Sequence, residues 1–252
     1  MAMNTLPMTC LITGASGGVA TALAAHLRAE GWRLALVGRD RERLQPESDD
    51  LAIEADVSTE AGAQAALQAA TEAFGEPPGA VVNCAGAVLI APIGRTSEAQ
   101  YRDCLSANLD TAFFVSRAYA TALQARKRGG ALVLFSSVAA SVGVGNHAAI
   151  AIAKGGIEAL ARSLAADFSA IGLRVNAIAP GLMETPATAK FVSSDLARRA
   201  VSAQYPLGRH GAADDAAALA AFLVSHRAAW ISGQVIAVDG GFLSVRPTIK
   251  VS

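Results

Sequence analysis

The chain has 252 residues, 52% of them hydrophobic and 17% charged, and its 21 basic and 21 acidic residues leave a formal net charge of +0. This length and composition predict one α/β domain over 1–252, and the lack of a basic field argues against nucleic acid or an anionic membrane as partner. Cys10, Cys84 and Cys104 are far apart and no His/Cys/Asp cluster has metal-ligand spacing, so neither disulfides nor a catalytic metal are expected.

The opening stretch MAMNTLPMTCLITG has no charged segment ahead of a long apolar one. No apolar run reaches the ~20 residues of a membrane span. The expectation is a cytoplasmic protein without a signal peptide. The first strand, TCLIT (9–13), runs into TGASGGVA (13–20) and a helix over 18–30. A glycine turn placed there lets backbone approach a pyrophosphate and offers it the N–H groups of the helix start. The second strand, RLALVG (33–38), ends in Gly38, Arg39 and Asp40. A carboxylate at its end would bind the adenosine ribose hydroxyls. Here glycine stands there, followed by a guanidinium suited to a phosphate. Asp40 either caps the following helix or pairs with Arg39.

Further strands follow at LAIEA (51–55), AVVN (80–83), ALVLFS (131–136), LRVNAI (173–178) and QVIAV (234–238), with helices over 59–74, 98–126, 148–170 and 212–226. The strands are apolar on nearly every residue, as parallel strands covered on both faces are. Their alternation with helices predicts a Rossmann-type, doubly wound α/β sandwich with a seven-stranded parallel sheet. Residues 184–210 lack strand character and read as a substrate loop (about 183–210). Met183, Phe191, Val192, Leu196 and Tyr205 form its apolar wall. Arg198 and Arg199 read as solvated helix charges, with an acidic substrate as the alternative. His26 and His226 read as surface residues. His210 reads as structural, ahead of a helix that Asp214 or Asp215 helps to start.

Taken in order, TGASGGVA, ADV (55–57), NCAG (83–86), PGLMET (180–185) and SGQVIAVDGGF (232–242) resemble the short-chain dehydrogenase/reductase family over essentially the whole chain. The resemblance implies a nicotinamide cofactor held by Gly14, Ser16, Gly18, Val19, Asp56, Val57, Asn83, Ala85, Gly86, Lys154, Pro180, Gly181, Met183 and Thr185. Ala20 replaces the last glycine of the family's TGxxxGxG, a one-methyl change expected to be tolerated. Arg39 favours NADP(H) over NAD(H).

The family also uses an Asn, a Ser, a Tyr and a Lys. By resemblance these fall on Asn108, Ser137, Ile150 and Lys154. Ser137 would hydrogen-bond the substrate carbonyl oxygen, Lys154 would hold the nicotinamide ribose, and Asn108 would support a water chain towards Lys154. Ile150 carries no proton. A positioned acid contributes ~10²–10⁴-fold to such a step, so an altered donor and weak activity are expected. His147, seven residues before Lys154, shares its face if the helix reaches that far. The Hx₆K spacing resembles the Yx₆K of the enoyl-thioester reductase branch, which otherwise has a different glycine turn and no NCAG. Helix capping or solvent exposure is the other reading of His147.

The leading functional reading is an NADP(H)-dependent oxidoreductase acting on a small carbonyl, alcohol or enoyl compound. Small residues along 98–126 and 148–170 and the family's habit imply a homo-oligomer, tetramer or dimer. The alternative is a dinucleotide-binding sensor or regulator on the same scaffold, with Ile150 as its main support. Non-redox chemistry ranks last, since it normally goes with loss of the glycine turn.

Overall fold

The structure, a computed structural model, describes residues 8–47 and 49–247. Most of the N-terminal segment behind the signal-peptide reading lies outside the described residues. In chain order the elements are β1 (Thr9–Thr13), α1 (Gly18–Ala29), β2 (Arg33–Gly38), β3 (Leu51–Glu54), α2 (Glu60–Phe74), β4 (Ala80–Asn83), α3 (Glu98–Leu105) and α4 (Thr111–Arg126). They continue with β5 (Gly130–Phe135), α5 (Ala148–Asp167), β6 (Leu173–Pro180), β7 (Met183–Glu184), α6 (Asp195–Ser202), β8 (Gly211–Ala212), α7 (Ala213–Val224) and β9 (Val235–Val238).

Seven of the strands form one parallel sheet in the order β3-β2-β1-β4-β5-β6-β9. The expected doubly wound architecture is present. Strands β1, β4 and β5 are buried along their whole length, because α1 and α7 cover one face of the sheet and α2, α4 and α5 the other. Chain order reverses direction between β1 and β4, and the crevice outside the strand ends at such a switch point is where open α/β sheets bind ligands.

Local chemistry sets the helix ends. Thr59 accepts from the Gly62 N–H at 3.0 Å and so starts α2. Ser97 and Gln100 form a reciprocal capping box at α3. Asp215 accepts from the Ala212 N–H at 2.8 Å at the start of α7, in line with the reading of 212–226. His26 pairs with Asp214 across α1 and α7 at 2.6 Å, at the surface. Among the described residues, no helix is long and apolar enough to cross a membrane.

Two departures from the sequence expectation bear on function. The segment 98–126 is not one uniform helix: Ser106–Asp110 form a π-helical turn between α3 and α4. The segment 184–210 is not wholly without strand, since Glu184 with Met183 pairs in parallel with Gly211–Ala212. That short ladder closes the loop at its foot, and α6 lies inside it.

Candidate active site

The crevice begins at the glycine turn. Gly14 has φ +59°, and a Cβ there would come within 2.7 Å of the Ala85 backbone, so only glycine lets β1 pass this close to the turn after β4. Gly17, the residue before α1, puts no side-chain cap on the helix, so its first amides remain available to an anion. Ala20 is buried inside α1, which runs unbroken past it. Thr185 and Pro186 lie 3.1–3.3 Å from where a Cβ on Gly18 would project. The segment after Pro180 therefore rests against the glycine turn.

Arg39 and Asp56 stand near one another at the tips of β2 and beyond β3. Arg39 is exposed and makes no ion pair among the described residues. Asp40 does not compete for it, because its carboxylate caps the following turn through the Glu42 N–H at 3.0 Å. A Cβ on Gly38 would sit 3.0 Å from Leu44, leaving little room for an acidic side chain there. Asp56 accepts from the backbone and hydroxyl of Ser58 at 3.0 and 2.7 Å. Those bonds, with Arg39 adding a little, hold its carboxyl below the usual range. Val57 beside it is buried.

A chain of buried hydrogen bonds then crosses the sheet edge. Thr13 donates to Asn83 at 2.5 Å, Asn83 donates to Thr111 at 3.5 Å, and Thr111 donates to the Asn108 carbonyl at 3.0 Å. Asn108 lies in the π-helical turn, and such a turn frees backbone groups that an α-helix would pair. Its amide donates to the carbonyls of Cys104 and Ala87 at 2.9 and 3.0 Å, and its oxygen accepts from the Ala87 N–H at 3.3 Å. Asn108 thus fixes the NCAG turn. Thr111 was not singled out from the sequence, and Thr13 was named only as the start of the glycine-turn motif. Only the burial of a β-branched hydroxyl beside Asn83 marks them.

Lys154 is buried on α5, and its Nζ donates to the Phe135 carbonyl at 2.9 Å. Burial pushes its pKa down to about 8. A Cβ on Gly86 would lie 3.5 Å from that Nζ and 2.9 Å from the Asn108 oxygen, so Gly86, Asn108 and Lys154 converge on one spot. Burial raises the Cys84 thiol to about 12, which keeps it protonated. Ser137 follows β5, half-buried, its Oγ accepting from the Ala139 N–H at 3.2 Å. Ile150 is buried one turn before Lys154.

His147 lies just outside α5, which starts at Ala148, and makes no side-chain cap bond. Its Nδ1 is 2.6 Å from the Gly145 carbonyl. A carbonyl only accepts, so Nδ1 carries the hydrogen and Nε2 can donate only in the imidazolium form. The ring lines a cavity of about 440 Å³ together with Pro92, Ile93, Val142, Val144 and Ala151. Of the loop's expected apolar wall, Met183, Val192 and Tyr205 are instead packed inward. Tyr205 accepts from the Leu182 N–H at 2.7 Å, while Leu196 stands exposed.

Known proteins resemble this chain over nearly its whole length. A family model described as Enoyl-(Acyl carrier protein) reductase matches residues 14–243. The 3-oxoacyl-[acyl-carrier-protein] reductase FabG of Escherichia coli is 33% identical over 248 residues, covering 96% of this chain and 100% of that protein. The inactive 2-(S)-hydroxypropyl-CoM dehydrogenase 2 of Xanthobacter autotrophicus is 34% identical over 226 residues, 85% of this chain and 96% of that one. A solved short-chain type dehydrogenase/reductase from Mycobacterium ulcerans superposes with a TM-score of 0.86 at 30% identity, covering 93% and 89% of the two chains.

Proposed function

The chain belongs to the short-chain dehydrogenase/reductase family, and from that premise we propose that it is an NADP(H)-dependent oxidoreductase whose usual phenolic proton donor is replaced. The family's chemistry is transfer of hydride between a nicotinamide and a carbonyl or alcohol carbon. The observation that carries the reading is the convergence of Gly86, Asn108 and Lys154 at the sheet edge, beside a glycine turn whose amides are left open.

In this reading Gly14, Ser16, Gly18 and Val19 hold the pyrophosphate. Asp56, Val57, Asn83, Ala85 and Gly86 line the adenosine side and the floor. Pro180, Gly181, Met183 and Thr185 close over the nicotinamide end, Met183 through its backbone, since its side chain is buried. Lys154 holds the nicotinamide ribose, and Asn108 orders the turn beside it. Ser137 hydrogen-bonds the substrate oxygen as negative charge develops on it, a preorganised contribution that survives the loss of the phenol. Ile150 supplies shape alone. The proton then comes from solvent or from His147 as imidazolium across the Ile93–Val144 cavity.

Support for an acyl thioester as substrate comes from the two acyl-carrier-protein reductase descriptions, and the apolar lining at Ile93, Val142 and Val144 suits an acyl chain. We place the protein in the cytoplasm as one domain over 1–252 acting as a homo-oligomer. The second reading, a dinucleotide-binding regulator, is favoured by Ile150 and by the existence of an inactive relative of similar identity.

NADPH preference is tested by fluorescence titration of both reduced nucleotides against wild type and Arg39→Ala. NADPH is expected to bind more tightly, with the variant losing about tenfold for NADPH and little for NADH, as removal of one paired charged contact implies. Equal affinities in the wild type would remove Arg39 from the argument.

A further inference from the structure

One cluster of charged side chains has no part in the chemistry above. Glu184, at the end of β7, accepts from Arg198 of α6 at both carboxylate oxygens, at 2.7 and 2.8 Å. The same guanidinium donates to the Val192 carbonyl at 3.2 Å. His210, on the return limb of the loop, has its Nε2 3.0 Å from Glu184 and 3.3 Å from Arg198. Its Nδ1 lies 3.0 Å from the Ser202 hydroxyl at the end of α6. One carboxylate at the foot of the loop therefore ties together its outgoing limb, its helix and its return.

The alignment Ser202–His210–Glu184 has the order of a nucleophile, a base and an orienting acid. The surroundings speak against acyl transfer. The Ala203, Gln204 and Tyr205 amides donate to the carbonyls of Arg199, Val201 and Ser202, leaving no nearby pair of donors for an oxyanion. The carboxylate is also committed to Arg198. The cluster is a mechanical tie.

What it ties is otherwise loosely held. None of the eight residues of α6 is buried, and Leu196 is 73% exposed. The fully buried apolar side chains of the segment are Val192 before the helix and Tyr205 after it, with Phe191 and Val201 half-buried. A segment with so little buried apolar surface opens at low cost unless polar contacts hold it. The outgoing limb continues from Glu184 into Thr185 and Pro186, the residues that rest against Gly18. Thr188 braces that limb, donating to the Met183 carbonyl at 2.5 Å and accepting from the Thr185 N–H at 3.0 Å.

We propose that Glu184, Arg198 and His210 form a clasp that holds the 184–204 segment down on the glycine turn and thereby sets the rates at which the dinucleotide enters and leaves. This rests on the dinucleotide reading above. Glu184, Arg198 and His210 act here as positioning residues. Arg198 and His210 hold the Glu184 carboxyl down to about 2, so the tie persists through the mildly acid range.

Rapid-mixing fluorescence with NADPH reads association and dissociation directly, without turnover. Glu184→Gln and Arg198→Ala are expected to raise both rates about two- to fivefold, the range for a paired but part-exposed guanidinium–carboxylate contact. The dissociation constant should move less than either rate. Arg198→Lys should recover part of the effect, and Arg199→Ala, an exposed neighbour outside the cluster, should recover wild-type rates. Trypsin should cut after Lys190 and Arg199 faster in the two clasp variants than in wild type, with far-UV circular dichroism unchanged. Rates and cleavage at wild-type values in both folded variants would overturn the clasp while leaving the cofactor reading intact. A wild type that binds neither NADPH nor NADH removes the cofactor reading, and the gating role with it.

Discussion

Ile150 and Lys154 face the same way one helical turn apart, both buried, and between them they hold most of what is unusual in this chain. Replacing Ile150 with tyrosine places a phenol beside an ammonium whose pKa burial has already pushed down to about 8, the setting in which a phenol becomes a better acid. Ile150→Tyr is expected to raise turnover of 3-oxoacyl thioesters or ketones with NADPH by ~10²-fold or more. It should also cost ~1–3 kcal/mol of stability from overpacking, visible as a lower melting temperature. A variant that folds, binds NADPH and gains no rate would show that the donor position lies elsewhere. Lys154 itself makes a separate prediction about pH. Its folded pKa lies below the usual 10.5, so below about 8 the lysine is charged in both states and folding carries the full cost of burying the charge. Between about 8 and 10.5 the unfolded chain holds the proton and the folded one does not, so this group's contribution to stability rises with pH. The buried thiols of Cys10 and Cys84 and the Tyr119 phenol are pushed up by burial and pull total stability the other way. The Lys154 contribution is therefore read as the difference between wild type and Lys154→Met in denaturant titrations at pH 8 and 10.5. That difference should shift in favour of wild type, and a constant difference would refute the assignment. Much at this scale was legible in the sequence. Asn108, Lys154 and Gly86 were picked out by motif, and they converge. Glu184 was not, because its role depends on Arg198, fourteen residues on, and His210, twenty-six residues on, meeting it through a folded loop, and no periodicity encodes that meeting.

The strands were legible because burial on both faces forces nearly every residue to be apolar, and strand ends were read to within a residue or two for the same reason. Helices were legible in position but not in continuity. The segment 98–126 carries no glycine or proline to interrupt a helix, and nothing in SANLD marks the widening at Ser106–Asp110. Its effect is large all the same, since it is what turns Asn108 towards the backbone of Ala87. The start of α5 agrees with the sequence reading, and it has a consequence of its own. With the helix beginning at Ala148, His147 is a half-buried residue at its threshold and does not join the face of Lys154, which required the helix to reach one residue further. The two-residue ladder of β7 and β8 is too short for any pattern. It arises because Gly211 lacks a side chain where Met183 packs inward, a tertiary cause that a local reading does not contain.

At the scale of the molecule, the sheet is covered on both faces, yet the outer surface of α4 and α5 remains apolar in places. Phe113 is 48% exposed and Ile152 is 56% exposed, and Phe113 stacks edge-on against Phe114 with centroids 5.6 Å apart. Gly155 has open space where a side chain would stand, while Gly156 sits against Leu109. A face with two large apolar side chains flanked by small residues lets another helix pair approach closely, and burying it against a second copy removes its apolar surface from water at about 25 cal/mol per Å². We therefore expect the protein to be a dimer or tetramer assembled through α4 and α5. Phe113→Glu with Ile152→Glu would then place four like charges per pair of copies in a desolvated contact, a cost of several kcal/mol, while leaving the monomer fold untouched because both side chains already face outward. Light scattering after size exclusion should show wild type at two or four times the chain mass and the double variant at a smaller multiple, with NADPH affinity nearly unchanged since neither residue borders the crevice. A wild type of single-chain mass, or a double variant of unaltered mass, would remove this face from the assembly.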